Sequence, residues 1–273
     1  MRVMAVALAF AALAAQPPDA GALRDRLDHY LLAYEPLLST VVADELMTQR
    51  TKQRWVVTNR RIESEVAFIA LPANAGWMGF RRIMKVNGKA IKDRGVPLSQ
   101  LMIEGPSDDY DQARLLLDDS AAHNLGAPRT INLPNLPLEV LHPRHRHRFS
   151  QEIYDREKVR GVQTTLLRFD EISTPTIIRQ PDGRDMKTVV WAWIEPASGR
   201  LLRAQVSVQD AQLSSTAPFT AVIRVDFRED GTLSMLVPFE MQETFFVESG
   251  SGSGTAKYSN YRRFQTAARV IPQ

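Results

Sequence analysis

Residues 219–228 read Phe219-Thr220-Ala221-Val222-Ile223-Arg224-Val225-Asp226-Phe227-Arg228. Phe219, Ala221, Ile223, Val225 and Phe227 alternate with Thr220, Arg224, Asp226 and Arg228, and only Val222 breaks the rule. Successive side chains of a strand point to opposite faces, so a period of two marks a sheet with one dry and one wet face. Upstream, Leu202, Ala204, Val206 and Val208 repeat the pattern against Arg203, Gln205, Ser207 and Gln209. Val189–Ile194 precedes them across the turn Pro196-Ala197-Ser198-Gly199. Downstream, Asp230-Gly231 separates two more strands. Gly250 to Gly254 (GSGSG) reads as a flexible hairpin loop between strands Met241–Val247 and Lys257–Phe264. Six or more strands joined by short turns predict an antiparallel meander.

The N-terminal half carries a different period. Leu23, Leu27, Tyr30, Leu31, Tyr34, Leu38, Val41, Val42 and Leu46 recur at spacings of three and four, which predicts a helix over Leu23–Gln49, kinked or split at Pro36. Arg24, Asp25, Arg26, Asp28, Asp44 and Glu45 fall mostly off this stripe. Strands are expected at Val66–Leu71, Phe80–Val86 and Lys89–Lys92. The last two flank Asn87-Gly88, a pair suited to a type I′ turn because both positions need positive φ. Leu98–Ile103 and Tyr110–His123 read as helices. Residues 126–148, with Pro128, Pro134, Pro137 and Pro143, read as loop with at most one helical turn.

The N-terminus supplies an address. Arg2 precedes an apolar run from Val3 to Leu13, and Ala12-Leu13-Ala14 has the small-x-small form cut by signal peptidase. A membrane span needs about 20 apolar residues, and Gln16-Pro17-Pro18-Asp19 ends this run too early. The reading is a signal peptide over 1–14 and an exported, soluble chain over 15–273, periplasmic or extracellular, with membrane contact at most peripheral. A net charge of +3 is too even for nucleic-acid binding by charge alone. The absence of cysteine excludes disulfides, thiol nucleophiles and cysteine-ligated metals.

Few residues carry a chemical signal. His142, His145 and His147 lie in a run with Arg144, Arg146 and Arg148. On an extended chain His145 and His147 share a face, as zinc ligands must. The interleaved guanidinium groups repel a metal ion, so no metal site is assigned and the arginines are candidates for anion contact. Otherwise the segment is a solvated basic strand or loop. Glu35, Asp44 and Glu45 read as carboxylates on a solvated helix face. The glycines 250, 252 and 254 lack the strand–loop–helix context of a dinucleotide loop. No G-x-S-x-G, H-E-x-x-H, Walker A or EF-hand sequence occurs, so no catalytic residue and no cofactor are assigned. Trp191 and Trp193 share one face of one strand. With Phe219 and Phe227 they are candidates to line an apolar ligand cavity, unless that face is simply filled core.

A set of strings runs in order along the chain: Ala43-Asp44-Glu45 with Gln49, Arg60-Arg61-Ile62-Glu63-Ser64, Trp77-Met78-Gly79-Phe80-Arg81, Val86-Asn87-Gly88 and Asp93-Arg94. Ser120 to Gly126 with Arg129-Thr130-Ile131-Asn132 comes next, then Pro175-Thr176-Ile177-Ile178 and Trp193-Ile194-Glu195-Pro196 with Ser198-Gly199-Arg200. Val237-Pro238, Met241-Gln242-Glu243 and Tyr258-Ser259-Asn260-Tyr261-Arg262-Arg263-Phe264 complete it. The ordered set resembles a family of uncharacterised secreted bacterial proteins, which brings no activity with it. The second half, with its Trp-Ile-x-Pro-x-Ser-Gly-Arg turn and meander, is similar to the outer-membrane lipoprotein carriers of the LolA/LolB type. That resemblance implies a curved half-barrel holding helices in its concave face, with an apolar cavity for acyl chains. The chain departs from the carriers in its insert at 98–125 and its proline-rich segment.

The expected fold is thus α+β. It is a curved antiparallel sheet with helices on one face, forming one domain over 15–273: a helical and hairpin part (20–135) and a β-meander (145–273). The first-ranked function is binding of a lipid or other apolar ligand in the cell envelope. A structural or protein-docking module of the envelope is the second. An enzyme using 142–148 on an anionic substrate is the third, and it requires His145 or His147 beside a carboxylate in a cleft.

Overall fold

Helix α1 spans Ala20–Leu38, capped by the Asp19 side chain, which accepts from the Ala22 N–H. The chain then turns and continues as strand β1 (Val41–Gln53), which corrects the helix expected to reach Gln49. Leu38, Val41, Val42 and Leu46 fit a helical spacing, but Thr40, Val41 and Val42 are consecutive β-branched residues, which lose χ1 freedom in a helix. Pro36 lies within the last turn of α1.

The computed structural model describes residues 19–70, 76–91, 98, 117–126, 129–210, 219–248 and 250–263. The signal-peptide segment and most of the two helices expected between 98 and 123 lie outside these residues; 117–122 are helical. Strands β2 (Val56–Ala70), β3 (Trp77–Val86) and β4 (Lys89–Ala90) follow β1. Asn87 and Gly88 both adopt positive φ, and Val86 pairs with Lys89 across them, as the sequence predicts. Segment 126–148 holds two helical pieces where one turn was expected: helix α2 (Leu136–Leu141) and a 3-10 segment (Pro143–Arg148). The meander then runs β5 (Phe149–Val159), β6 (Val162–Glu171), β7 (Met186–Ile194), β8 (Leu201–Asp210), β9 (Thr220–Asp230), β10 (Met235–Val247) and β11 (Gly250–Arg263). The run of glycines is therefore part of a strand and not a hairpin loop.

These eleven strands form one antiparallel sheet in the order β4-β3-β2-β1-β11-β10-β9-β8-β7-β6-β5. Strand β1 closes onto β11, so the N-terminal hairpins extend the meander. Helix α1 touches both β2 and β5, which lie eight strand spacings apart in that order. In a flat sheet that is roughly 38 Å, against a helix about 10 Å across. The sheet must therefore curl around the helix.

The inner face and α1 share one core. Leu23, Leu27, Leu31 and Leu38 are fully buried against alternate residues such as Val190, Ala192 and Ile194 on β7, Val206 and Val208 on β8, and Ile223 and Val225 on β9. Burying each such side chain contributes about 1.5–3 kcal/mol. Two residues of the helix's supposed polar side are buried with them. Arg24 donates to Asp28 (2.6 Å) and to the Leu141 carbonyl (2.9 Å), and lies over the Phe169 ring. Tyr34 donates to the Leu236 carbonyl at 2.7 Å. Among the described residues no helix is long and apolar enough to cross a membrane.

Candidate ligand-binding site

Helix α1 seals one part of the sheet's concave side. The part under β1, β11 and β10 is closed instead by residues 120–126 and 129–135, and the glycines of β11 make room for them. Gly252 pairs with Phe245 and Gly254 with Glu243 across the β10–β11 ladder. A Cβ on Gly254 would sit 2.7 Å from Glu243 Oε1 and 2.9 Å from its Cγ, and one on Gly252 would overlap the Phe245 ring. With hydrogen in those places, the two side chains lie flat across β11. Arg129 stacks over Phe245 at 3.7 Å and donates from Nη2 to Glu243 Oε1 at 2.8 Å.

From Glu243 a buried polar chain runs to the far side of the sheet. Gln49 Nε2 donates to Asn124 Oδ1 (2.6 Å) and Glu243 Oε1 (3.3 Å), while Gln49 Oε1 accepts from the Leu125 N–H. Asn132 Nδ2 donates to the same Asn124 oxygen at 2.8 Å. Arg81 Nη2 donates to the Asn132 carbonyl (2.7 Å) and Glu45 Oε1 (2.8 Å), and its Nε to Glu45 Oε2 (2.5 Å). Ser64 Oγ also donates to Glu45. The Arg81 and Glu45 side chains are 1% and 0% exposed. Burial pulls the Arg81 pKa down, but the adjoining Glu45 carboxylate outweighs it and holds the guanidinium above its ordinary value. Glu45 thus lies on a strand, paired and dry, and not on a solvated helix face; Asp44, on the opposite face, pairs with Arg262 at 2.7 Å.

Beside Arg129 the inner face stays open. A cleft of about 350 Å³ is lined by Ile131, Ile178, Met186, Val208 and Phe219, with Arg129, Thr130, Arg179, Gln180 and Pro181 at its polar side. Arg129 is committed to Glu243, whereas the exposed Arg179 guanidinium makes no hydrogen bond or ion pair among the described residues. The volume is at the small end of ligand pockets.

The basic segment is a 3-10 turn and not an extended strand; Arg146 and His147 are exposed, and the other side chains are drawn toward the body. His142, Arg144 and His145 gather on Glu35 of α1 and Glu139 of α2. Arg144 donates to Glu35 (2.7 Å) and Glu139 (3.2 Å), and its Nε to His142 Nδ1 (2.9 Å). An accepting Nδ1 leaves the proton of neutral His142 on Nε2. That atom lies 3.0 Å from Glu35 Oε2 but off the line needed for a hydrogen bond. Burial first, then Arg144, holds the His142 pKa below its usual range. Burial raises the Glu139 pKa, but the hydrogen bond from His145 (2.8 Å) and the charge of Arg144 outweigh it and bring it down. Arg146 pairs with Asp25 (2.6 Å) and Asp28 (2.9 Å), and Arg148 with Glu171 (3.2 Å). The three arginines singled out for anion contact are thus taken up by the protein's own carboxylates, and the segment ties α1 and α2 to the sheet. Among the described residues no group of histidines and carboxylates is arranged to hold a metal ion.

The four aromatic candidates are divided between the two faces. Phe227 is buried in the core and Phe219 lines the cleft. Trp191 and Trp193 lie on the outer face, half-buried: Trp191 meets Tyr154 edge-on at 4.7 Å and carries Arg168 at 5.5 Å, and Trp193 carries Arg203 at 5.6 Å. They do not line the cleft. The buried chain Glu45–Arg81–Asn132–Asn124–Gln49–Glu243–Arg129 was not singled out from the sequence as a site. Every member nevertheless falls within the strings that carry the resemblance to secreted bacterial proteins.

No protein-family model matches the chain, and no curated protein matches it in sequence. Among solved structures it is similar to a DUF1329 family protein from Desulfovibrio piger, with a TM-score of 0.42 and 11% identity over 93% of this chain and 95% of that one. A putative outer membrane lipoprotein-sorting protein domain from Vibrio parahaemolyticus gives 0.42 and 12% over 92% and 95%. A LolA superfamily protein from Nitrosomonas europaea gives 0.33 and 11% over 90% and 97%.

Proposed function

We propose that the protein is exported and binds an amphiphile in the inner-face cleft. The observation that carries this is one apolar wall, Phe219, Met186, Val208 and Ile178, facing an unpaired Arg179 beside the buried Arg129. An acyl or similar chain lies against the wall, and an anionic head meets Arg179. Each methylene taken from water contributes about 0.8 kcal/mol. A charge-assisted hydrogen bond to the guanidinium adds about 1.5–3 kcal/mol. Because α1 and the residues packed on Gln49 and Glu243 fill the rest of the concave side, only part of a long chain is enclosed. The enzyme reading is not favoured: histidines do meet carboxylates, but Arg144 already neutralises both Glu35 and Glu139.

The test is native against denaturing mass spectrometry of chain purified from the cell envelope, followed by displacement of a fluorescent fatty acid. Extra mass that is lost on denaturation and extracts into organic solvent supports the reading. Phe219→Ala is expected to weaken fatty-acid binding by about tenfold or more, and Arg179→Gln to weaken it for the acid but not for the alcohol of equal length. Equal affinities for all three proteins would sink the assignment to this cleft. The denatured mass also checks export, which requires a chain beginning after residue 14.

A further inference from the structure

The outer end of the sheet carries a feature that the cleft does not use. Lys52 to Asn59, the closing part of the β1–β2 hairpin, are exposed on both faces of the hairpin apart from the half-buried Arg60 that follows, while Thr51 is buried. Three residues separate Thr51 from Arg54 at the turn, so the tip stands roughly 10 Å beyond the body. At that tip Trp55 is 96% exposed, followed by Val56 at 64% and Val57 at 43%. The neighbouring β10–β11 hairpin ends level with it: Gln53 pairs with Gly250 and Lys52 with Ser251, which in turn pairs with Phe246, itself 53% exposed. Large apolar side chains so exposed at a projecting end point outward to a partner.

The charges around them identify its kind. Arg50 and Lys52 follow Phe246 and Val57 on the outer face, and Arg54 occupies the turn itself. Among the described residues none of the three pairs with a carboxylate. Glu248 is the one acidic residue at this end among those described. Behind them a polar hollow of about 440 Å³, lined by Thr48, Arg50, Asn59, Arg61, Ser253 and Thr255, opens on the same outer side, as the register Thr48–Thr255 and Arg50–Ser253 requires. A tryptophan at the extremity with Arg54 beside it in the turn, aliphatic residues next to them, and Lys52 and Arg50 successively behind make a depth profile. It matches the boundary between acyl chains and anionic headgroups, where amphipathic aromatic rings reside and basic residues meet phosphate. We propose that this end of the sheet docks on an anionic lipid surface: Trp55 and Val56 enter the acyl boundary, and Arg50, Lys52 and Arg54 lie at the phosphates. The hollow behind gives a headgroup room to hydrogen-bond.

The test is sedimentation of the full chain with vesicles of phosphatidylglycerol and phosphatidylethanolamine, and with vesicles of phosphatidylcholine alone. Binding to the first that weakens steeply with salt, and little binding to the second, is expected. Trp55→Ser should weaken binding at least about tenfold. Lys52→Gln with Arg54→Gln should weaken it roughly twenty- to thirtyfold, at about fivefold for each cation. These side chains are exposed and among the described residues form no hydrogen bond or ion pair, so the melting temperature of both variants should equal that of the parent, which separates lost docking from lost folding. Arg179→Gln should bind vesicles like the parent; if it does not, the lipid contact belongs to the cleft and the proposal fails. It fails equally if neither vesicle is bound, if Trp55→Ser binds as well as the parent, or if ultracentrifugation shows a dimer that Trp55→Ser dissolves. That last outcome would assign the tip to a second copy of the chain.

Discussion

Removing Arg81 should be the most damaging single change in the sheet. The guanidinium is bidentate on Glu45, with both side chains essentially out of water. Arg81→Met keeps most of the volume but leaves the buried Glu45 carboxylate with only neutral partners such as Ser64 Oγ. Breaking a buried pair from one side typically costs about 3–5 kcal/mol, because the surviving charge stays desolvated. For a domain of this size each kcal/mol lowers the melting temperature by about 2–4 °C, so a fall of roughly 6–20 °C is expected. Glu45→Met with Arg81→Met removes both charges, and apolar replacement of a whole buried pair is commonly near neutral. Here the Asn132 carbonyl also loses its 2.7 Å donor, so the double variant should retain a deficit of about 1–3 kcal/mol. The assay is urea unfolding followed by circular dichroism for the parent, both single variants and the double. The double variant must be more stable than Arg81→Met alone. If the two single losses simply add, or if Arg81→Met loses less than about 1 kcal/mol, the side chains are not coupled in a dry interior and the account of this network is wrong.

Three further outcomes follow from the geometry. The folded state holds His142 below its usual pKa of 6.5, so the unfolded chain takes up that proton first. Stability should be full above about pH 6.5 and fall as pH drops through the lowered folded value. His142→Gln should flatten this limb in pH-dependent melting, while leaving a second loss below the usual 4.5 of Glu139, whose folded pKa is also lowered. Gly254→Ala forces a methyl group onto the Glu243 side chain and should cost about 1–3 kcal/mol, read in the same urea titration; an unchanged midpoint would mean that Glu243 does not lie across β11. Leu27→Ala removes a fully buried anchor of α1 and should cost about 2–5 kcal/mol; a loss below 1 would place the helix off the sheet.

The meander was legible because β8 and β9 have one wet face, so their alternation states both the structure and the side that is buried. Strand β7 carries no such signal. Val190, Ala192 and Ile194 are as apolar as Trp191 and Trp193, and hydrophobicity alone sends the tryptophans inward. The cue lies in the neighbouring strands: Arg168 and Arg203 stand opposite Trp191 and Trp193 in the register, so those positions are the outer side. The inner side takes Ala192 and Ala204 because α1 needs the space. The boundary at Leu38 was hidden for a related reason. Four residues spaced to suit a helix also suit the strand that follows, and the β-branched cluster at 40–42 was the discriminating feature. The partners of the basic segment were out of reach by distance, since Glu35, Asp25 and Asp28 lie more than 100 residues upstream on α1.

Glycine in a strand normally weakens it, and a run of alternating glycines therefore reads as a loop. Only the register with β10 shows that Gly252 and Gly254 each face a side chain needing its place, and this turns a supposed loop into a strand that carries Phe245 and Glu243 across it. The same register explains why so polar a network lies inside the sheet. Residues 124–126 and 129–132 belong to no strand, so Gln49 accepts from the Leu125 N–H, Asn124 donates to the Arg129 carbonyl and Arg81 to the Asn132 carbonyl, partners that this backbone would otherwise find in water. What the network fixes is the position of that backbone, and with it Arg129 and Ile131 on the wall of the cleft. The buried network is thus a scaffold and not a reactive group. The residues that face a ligand or a membrane, Arg179, Phe219 and Trp55, lie outside that network. Specificity is therefore to be sought in Arg179 and Phe219, which line the cleft, and not in the buried ion pairs.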